Sequence, residues 1–434
     1  MNKLNWEAME DQALEEKYYR CKHPSGLEIQ VCPKEGYSSA YAVFTTKYGS
    51  IDTVIAEPNG GKSKIPEGTA HFLEHKLFES EEQDAFQRFA KTGASANAYT
   101  SFEKTAYEFT CSGHFDENLE ILLDFVQAPY FTQATVEKEQ GIIGQEIRMG
   151  LDSPGRTIFF QLMKALYPGH PVHIEIAGTE ASIAEISAGL LYECYAHFYD
   201  LRNMMLAVAG NVTLEQIEPI AENLLKLPEN QNAPAKRVEL LDNAAPDTAL
   251  ASKEMEVGAP MFLLGCKEEM RGSELSVKDA ALAELVLDAL AGEASALFER
   301  LMDEGLINAG FGSELLFGWG YSCALFEGES KKPELAAKKI QEALLLAAEQ
   351  GLDEETFRRA RKKAYGRLIT CCNDTDWLAN SMTDAYFAGD DFYARARALR
   401  EITLEDANLR AAQLFKPGMF ALSIIQPIKG GASS

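Results

Sequence analysis

His71 and His75 stand four residues apart, with Glu74 beside the second. On a helix of 3.6 residues per turn this spacing sets the two imidazoles one above the other on a single face. Neutral imidazoles so placed can grip one zinc ion, and the adjacent carboxylate can serve as base for a water molecule, the chemistry of an HxxEH pattern. A hydrolytic zinc site also needs a third protein ligand and an open coordination position. The rival is a pair of helix histidines hydrogen-bonded in a core, with Glu74 as a surface charge. The third ligand decides between them.

The elements that must position these groups are legible nearby. Gly68 and Thr69 supply a helix start, and Ala70, Phe72, Leu73, Leu77 and Phe78 give that helix apolar faces. A second short helix is expected over residues 84–91. Gly93 to Ser101 follows, rich in small residues, and Thr105 to Thr110 reads as a strand paired with it. A small-residue strand is either a tolerated edge or a place where another backbone approaches closely; beside a peptidase site the second would mean β-augmentation by a substrate. Farther on, residues 134–149 read as a helix carrying Glu139 and Glu146, seven apart and therefore two turns along one face. They are either solvated glutamates or, if one faces inward, the carboxylate of a His2Glu site, with the other bracing a ligand histidine from behind.

Bulk properties narrow the field. At 434 residues the chain exceeds one ordinary core, so two or more domains are expected. A formal charge of −25 argues against nucleic acid and against an anionic membrane surface. No apolar run reaches the length of a membrane span. The N-terminal residues are polar and acidic, unlike a secretory or mitochondrial leader, so a cytoplasmic protein is expected. The eight cysteines form no CxxC pair, and reduced thiols are expected. All seven histidines lie between residues 23 and 197, so histidine chemistry belongs to the first half.

Along the chain, residues 28–32 and 40–46 read as antiparallel strands about a turn at Pro33–Gly36. Residues 119–126 read as a helix, residues 206–212 as an apolar strand, and residues 213–227 as a helix. Residues 229–250, rich in Pro, Asn, Ala and Asp, read as a linker between a first domain, 1–228, and a second, 251–434. Strand 261–266 opens the second domain. Helices 277–290 and 298–302, strands near 310–313 and 322–326, and helices 333–350, 353–371 and 376–388 follow. The expected class is α+β: two related domains, each a mostly antiparallel sheet flanked by helices, the second lacking metal residues.

Taken together, HFLEHKLF (71–78), GASANAYTSFEKTAYEF (93–109) and VEKEQGIIGQEIRMGLDSPG (136–155) resemble the pitrilysin (insulysin-like) zinc peptidases, whose members include mitochondrial processing peptidase and single-half bacterial homologues. The resemblance implies a zinc metalloendopeptidase acting on unfolded peptides in a closed chamber. It implies His71, His75 and Glu146 as ligands of one Zn2+ per chain, Glu74 as base, Glu139 behind a ligand histidine, and Ala96, Asn97, Ala98 and Tyr99 as the substrate-pairing strand. Catalytic members also use an arginine and a tyrosine from a stretch that here reads FERLMDEGLIN; Met302 and Asn308 fall at those places, with one residue deleted. A dimer is therefore expected, in one form a heterodimer whose related subunit supplies Arg and Tyr. The alternatives are a non-catalytic structural or assembly subunit, or a dedicated maturation protease for one peptide or modification pathway.

Overall fold

The structure, a computed structural model, describes residues 4–56, 61–81, 83–228 and 237–428. Residues 229–236 of the expected linker lie outside them. The described residues divide into two compact units: those within 1–147, 175–238 and 369–393 form one, and those within 148–174, 239–368 and 394–434 the other.

The first unit is built on a seven-stranded sheet. Its strands run in the order Glu7–Asp11, Glu16–Lys22, Glu28–Pro33, Met204–Gly210, Ala40–Thr46, Thr105–Cys111, Ser95–Thr100. Neighbours are antiparallel except Glu28–Pro33 with Met204–Gly210. Strands 28–33 and 40–46 are thus not the hairpin their sequence suggests. All seven residues of Met204–Gly210 are buried, and this apolar run takes the central place, where both faces are covered. Strand Ser95–Thr100 is the edge, paired only with Thr105–Cys111 among the described residues.

The second unit has five strands in the order Leu250–Met255, Phe420–Pro427, Met261–Lys267, Tyr321–Glu329, Gly312–Gly318. Again one pair, the first, is parallel and the rest antiparallel. This order and these directions repeat the last five strands of the first sheet. The expected α+β pair of related sheets is present, with a strand hairpin, Glu7–Asp11 and Glu16–Lys22, added to the first.

The units are not contiguous segments, as a division at 228 and 251 would make them. Helix Thr375–Phe387 packs on strands 204–210, 40–46 and 28–33 of the first sheet. Helix Pro154–Leu166 packs on the three matching strands of the second, 420–427, 261–267 and 250–255. Each half of the sequence therefore lends a helix to the other half's sheet. The local cause is visible at Gly265, where a Cβ would lie 2.7 Å from Leu166 Cδ1 and 3.0 Å from Leu162 Cδ2, so the bare backbone makes room for that helix. A buried ionic group reinforces the seat: Lys267 Nζ donates to the Leu166 carbonyl at 2.7 Å and to Asp242 Oδ1 at 2.9 Å.

All eight cysteines are free, as expected of reduced thiols. No helix among the described residues is long and apolar enough to cross a membrane.

Candidate metal centre

The helix expected from Gly68 runs Thr69–Leu77. Its start depends on Gly68, whose φ of 87° is left-handed and whose missing Cβ would lie 2.3 Å from the Ala177 carbonyl oxygen. Phe72, Leu73 and Leu77 are buried, which turns His71 and His75 together toward the neighbouring helix Gln133–Leu151. That helix is pinned by buried Val136, Ile143 and Ile147, so Glu139 and Glu146 are presented to the histidines.

The geometry is specific. His71 Nε2 lies 3.6 Å from Glu146 Oε1, and His75 Nε2 lies 3.8 Å from Glu146 Oε2. One ligand-capable atom from each of His71, His75 and Glu146 lies within 4.8 Å of the others. Ligand atoms at about 2.0–2.2 Å from one tetrahedral zinc stand about 3.3–3.6 Å apart, so these residues fit the ion with small adjustments. On the far side of His75, Nδ1 and Glu139 Oε1 are 3.0 Å apart. With the Nδ1 proton donated to that carboxylate, Nε2 keeps its lone pair for a metal. Glu139 is 6% exposed, so it is the buried member of the glutamate pair, while the Glu146 side chain is 40% exposed.

Three carboxylates around two imidazoles make a negative pocket suited to a cation. Burial pushes the Glu74 carboxyl above its usual range, opposed by the Thr100 hydrogen bond and the His75 charge. Burial alone would lower His75, but the Glu139 bond and the Glu74 and Glu146 charges outweigh it and raise it. Burial would raise Glu139 too, yet the bond to His75 and that charge hold it below the usual range.

Ala96, Asn97, Ala98 and Tyr99 lie on the edge strand. Alternation divides its faces. Ala96 and Ala98 pack on the core beneath, and Thr100 Oγ1 donates to Glu74 Oε2 at 2.6 Å. From the other face Tyr99 OH donates to Asn380 Oδ1 at 2.8 Å, and Asn380 Nδ2 donates to Tyr41 OH at 2.9 Å. Tyr41 OH in turn donates to Glu108.

Three residues of this surround escape sequence reasoning. Thr100 lies in the expected strand but one position past the expected pairing residues 96–99, and its polarity was the only signal. Lys76 reads as a surface lysine between apolar neighbours, yet it is fully buried with its ammonium on Glu79. Asn380 is 281 residues from Tyr99 and carries no signal at all.

Known proteins resemble this chain in sequence and fold. Residues 63–180 match the family described as Insulinase (Peptidase family M16), and residues 185–364 match the Peptidase M16 inactive domain. The chain is 41% identical over 404 residues to an uncharacterized zinc protease of Bacillus subtilis strain 168, YmfH, covering 92% of this chain and 94% of that one. A crystal structure described as a putative M16-like peptidase from Alicyclobacillus acidocaldarius superposes with a TM-score of 0.88 at 34% identity, covering 98% of both chains. Pitrilysin shares the fold, with a TM-score of 0.77 at 15% identity; 98% of this chain covers 46% of that one, as a single-half relative would. Identity of this extent, on the same pair of sheets, places the chain in the insulinase (M16) peptidase family.

Proposed function

We propose that the chain is a zinc endopeptidase that cleaves unfolded peptides. The convergence of His71, His75 and Glu146 beside the buried carboxylate of Glu74 carries this reading. Those three residues would hold one zinc ion per chain, with Glu139 bracing His75. When bound there, zinc supplies a Lewis acid that acidifies water and polarises a carbonyl. Glu74 takes the proton of the attacking water and passes it to the leaving amine. The outer edge of strand Ser95–Thr100, unpaired among the described residues, receives the substrate as an added strand, with Ala96, Asn97, Ala98 and Tyr99 supplying the backbone pairing.

The oxyanion is the part this chain does not supply in the family's manner. Met302 is exposed and has no donor, and Asn308 Nδ2 is engaged by Glu329 Oε2 at 2.9 Å. We therefore assign Arg and Tyr to a related chain in a heterodimer that encloses the peptide in a closed chamber in the cytoplasm. A homodimer using other donors, at reduced rate, is the rival.

The test is a peptide-library screen of the chain alone and with its genomic neighbour, with zinc measured in parallel. About one zinc per chain and cleavage that needs the neighbour are expected. Full activity from the chain alone would sink the heterodimer. Glu74→Gln should keep the zinc and lower turnover at least about 10³-fold; retained turnover removes Glu74 from its role.

A further inference from the structure

Thr100 ends the edge strand and touches the motif helix, so one residue belongs to both the expected peptide-pairing strand and the expected base. Its hydroxyl has a single proton, and two acceptors compete for it. Glu74 Oε2 is 2.6 Å away and Thr105 Oγ1 is 3.5 Å away. The shorter contact has the length of a charge-assisted O–H···O⁻ bond, and the longer is at the limit of any bond. Thr105 is already committed, donating its own proton to the Tyr48 carbonyl at 2.9 Å. The Thr100 proton therefore goes to Glu74, and no other side chain among the described residues hydrogen-bonds that carboxylate. Glu74 is only 9% exposed, so water contributes little to holding it.

We propose that Thr100 is a positioning residue for Glu74: its hydroxyl fixes Oε2 and leaves Oε1 to handle the proton. The strand supports this geometrically. Thr100 pairs with Thr105, and Ala96 and Ala98 on the same face rest on the core, so the hydroxyl is delivered from a fixed backbone. A peptide added along residues 96–99 would then lie next to a base whose orientation is set by that same strand. This rests on the peptidase reading.

The test compares Thr100→Val, which keeps the shape and removes the hydroxyl, with Thr100→Ser, which restores it. Steady-state kinetics use a peptide taken from the screen, with zinc content, melting temperature and a crystal structure of the zinc-loaded Val variant. The Val variant should lose about 10- to 100-fold in kcat with KM within about twofold, because a misplaced base costs turnover rather than binding. Zinc content should be unchanged, and Ser should return kcat to within about threefold of wild type. In the crystal the Glu74 carboxylate should be turned from its wild-type position. A Val variant with wild-type kcat, a loss that Ser does not rescue, or a Glu74 that stays in place overturns the proposal. Should the wild-type chain and its neighbour cleave nothing, the peptidase reading fails, and the position of Glu74 in the Val crystal still decides the role of Thr100.

Discussion

The two sheets share a strand order and differ in what their polar groups do. In the first unit the helix after strand Ala40–Thr46 carries His71, Glu74 and His75. In the second, the helix after the matching strand Met261–Lys267 is Val277–Ala291, with nine buried alanine, leucine and valine side chains and no histidine. The helix matching Gln133–Leu151 is Glu354–Cys371, where six of the ten residues from Arg358 to Arg367 are Arg or Lys and no carboxylate follows Glu355. The second unit spends its buried charge differently. Arg410 Nη2 donates to Glu268 Oε2 at 2.8 Å, Ser322 Oγ donates to the same atom at 2.7 Å, and Lys267 pairs with Asp242. Those charges are matched internally, whereas the first unit leaves a surplus of carboxylate at its histidines. A repeated scaffold thus holds one open electrostatic site and one closed network.

Breaking the closed network should give the largest effect. Arg410→Met leaves Glu268 buried at 7% exposure, and loss of one partner of such a pair costs about 3–5 kcal/mol. Urea unfolding should show that loss, while zinc content stays near that of the unaltered chain. If zinc is lost in parallel, the units do not divide their roles as described.

His170 should come next. Its Nδ1 accepts from the Val172 N–H at 3.0 Å and its Nε2–H donates to the Trp319 carbonyl at 2.9 Å, a pattern that only the neutral ring satisfies. Burial is the main cause that pushes it down to about 4. Because the folded form refuses a proton that the unfolded chain accepts near 6.5, this contribution is full above about pH 6.5 and lost as pH falls toward 4, about 3 kcal/mol in all. His170→Gln cannot take up that proton, so its stability should fall less steeply between those pH values. Equal slopes would contradict the assignment.

The smallest effect sharpens the open site. Glu139→Gln keeps the helix but weakens the hold on His75, and zinc affinity should fall about 10- to 100-fold, or about 1.4–2.7 kcal/mol, in competition with a chelator. Unfolding of the second unit should not change.

Much of this was legible in the sequence, for stated reasons. Period and spacing placed His71, His75, Glu139 and Glu146 on two helices, since face and turn follow directly from residue number. Periodicity could not say which sheet a helix would cover. Pro154–Leu166 and Thr375–Phe387 each bury an apolar side suited to either sheet, and only packing details such as Gly265 choose. Strand order was hidden likewise, because Met204–Gly210 enters between two strands that are neighbours in sequence. Thr100 and Asn380 depend on tertiary approach, which no local pattern encodes.

The crossed helices carry an implication for the gene. A chain severed between residues 238 and 239 yields two fragments, and neither owns a finished unit. The leading fragment would present strands 28–33, 40–46 and 204–210 with their covering helix missing, a broad apolar face open to aggregation. Synthesis order matters for the same reason: the half that carries His71 and His75 waits, bare on one side, until the ribosome has delivered Thr375–Phe387, long after strand Met204–Gly210.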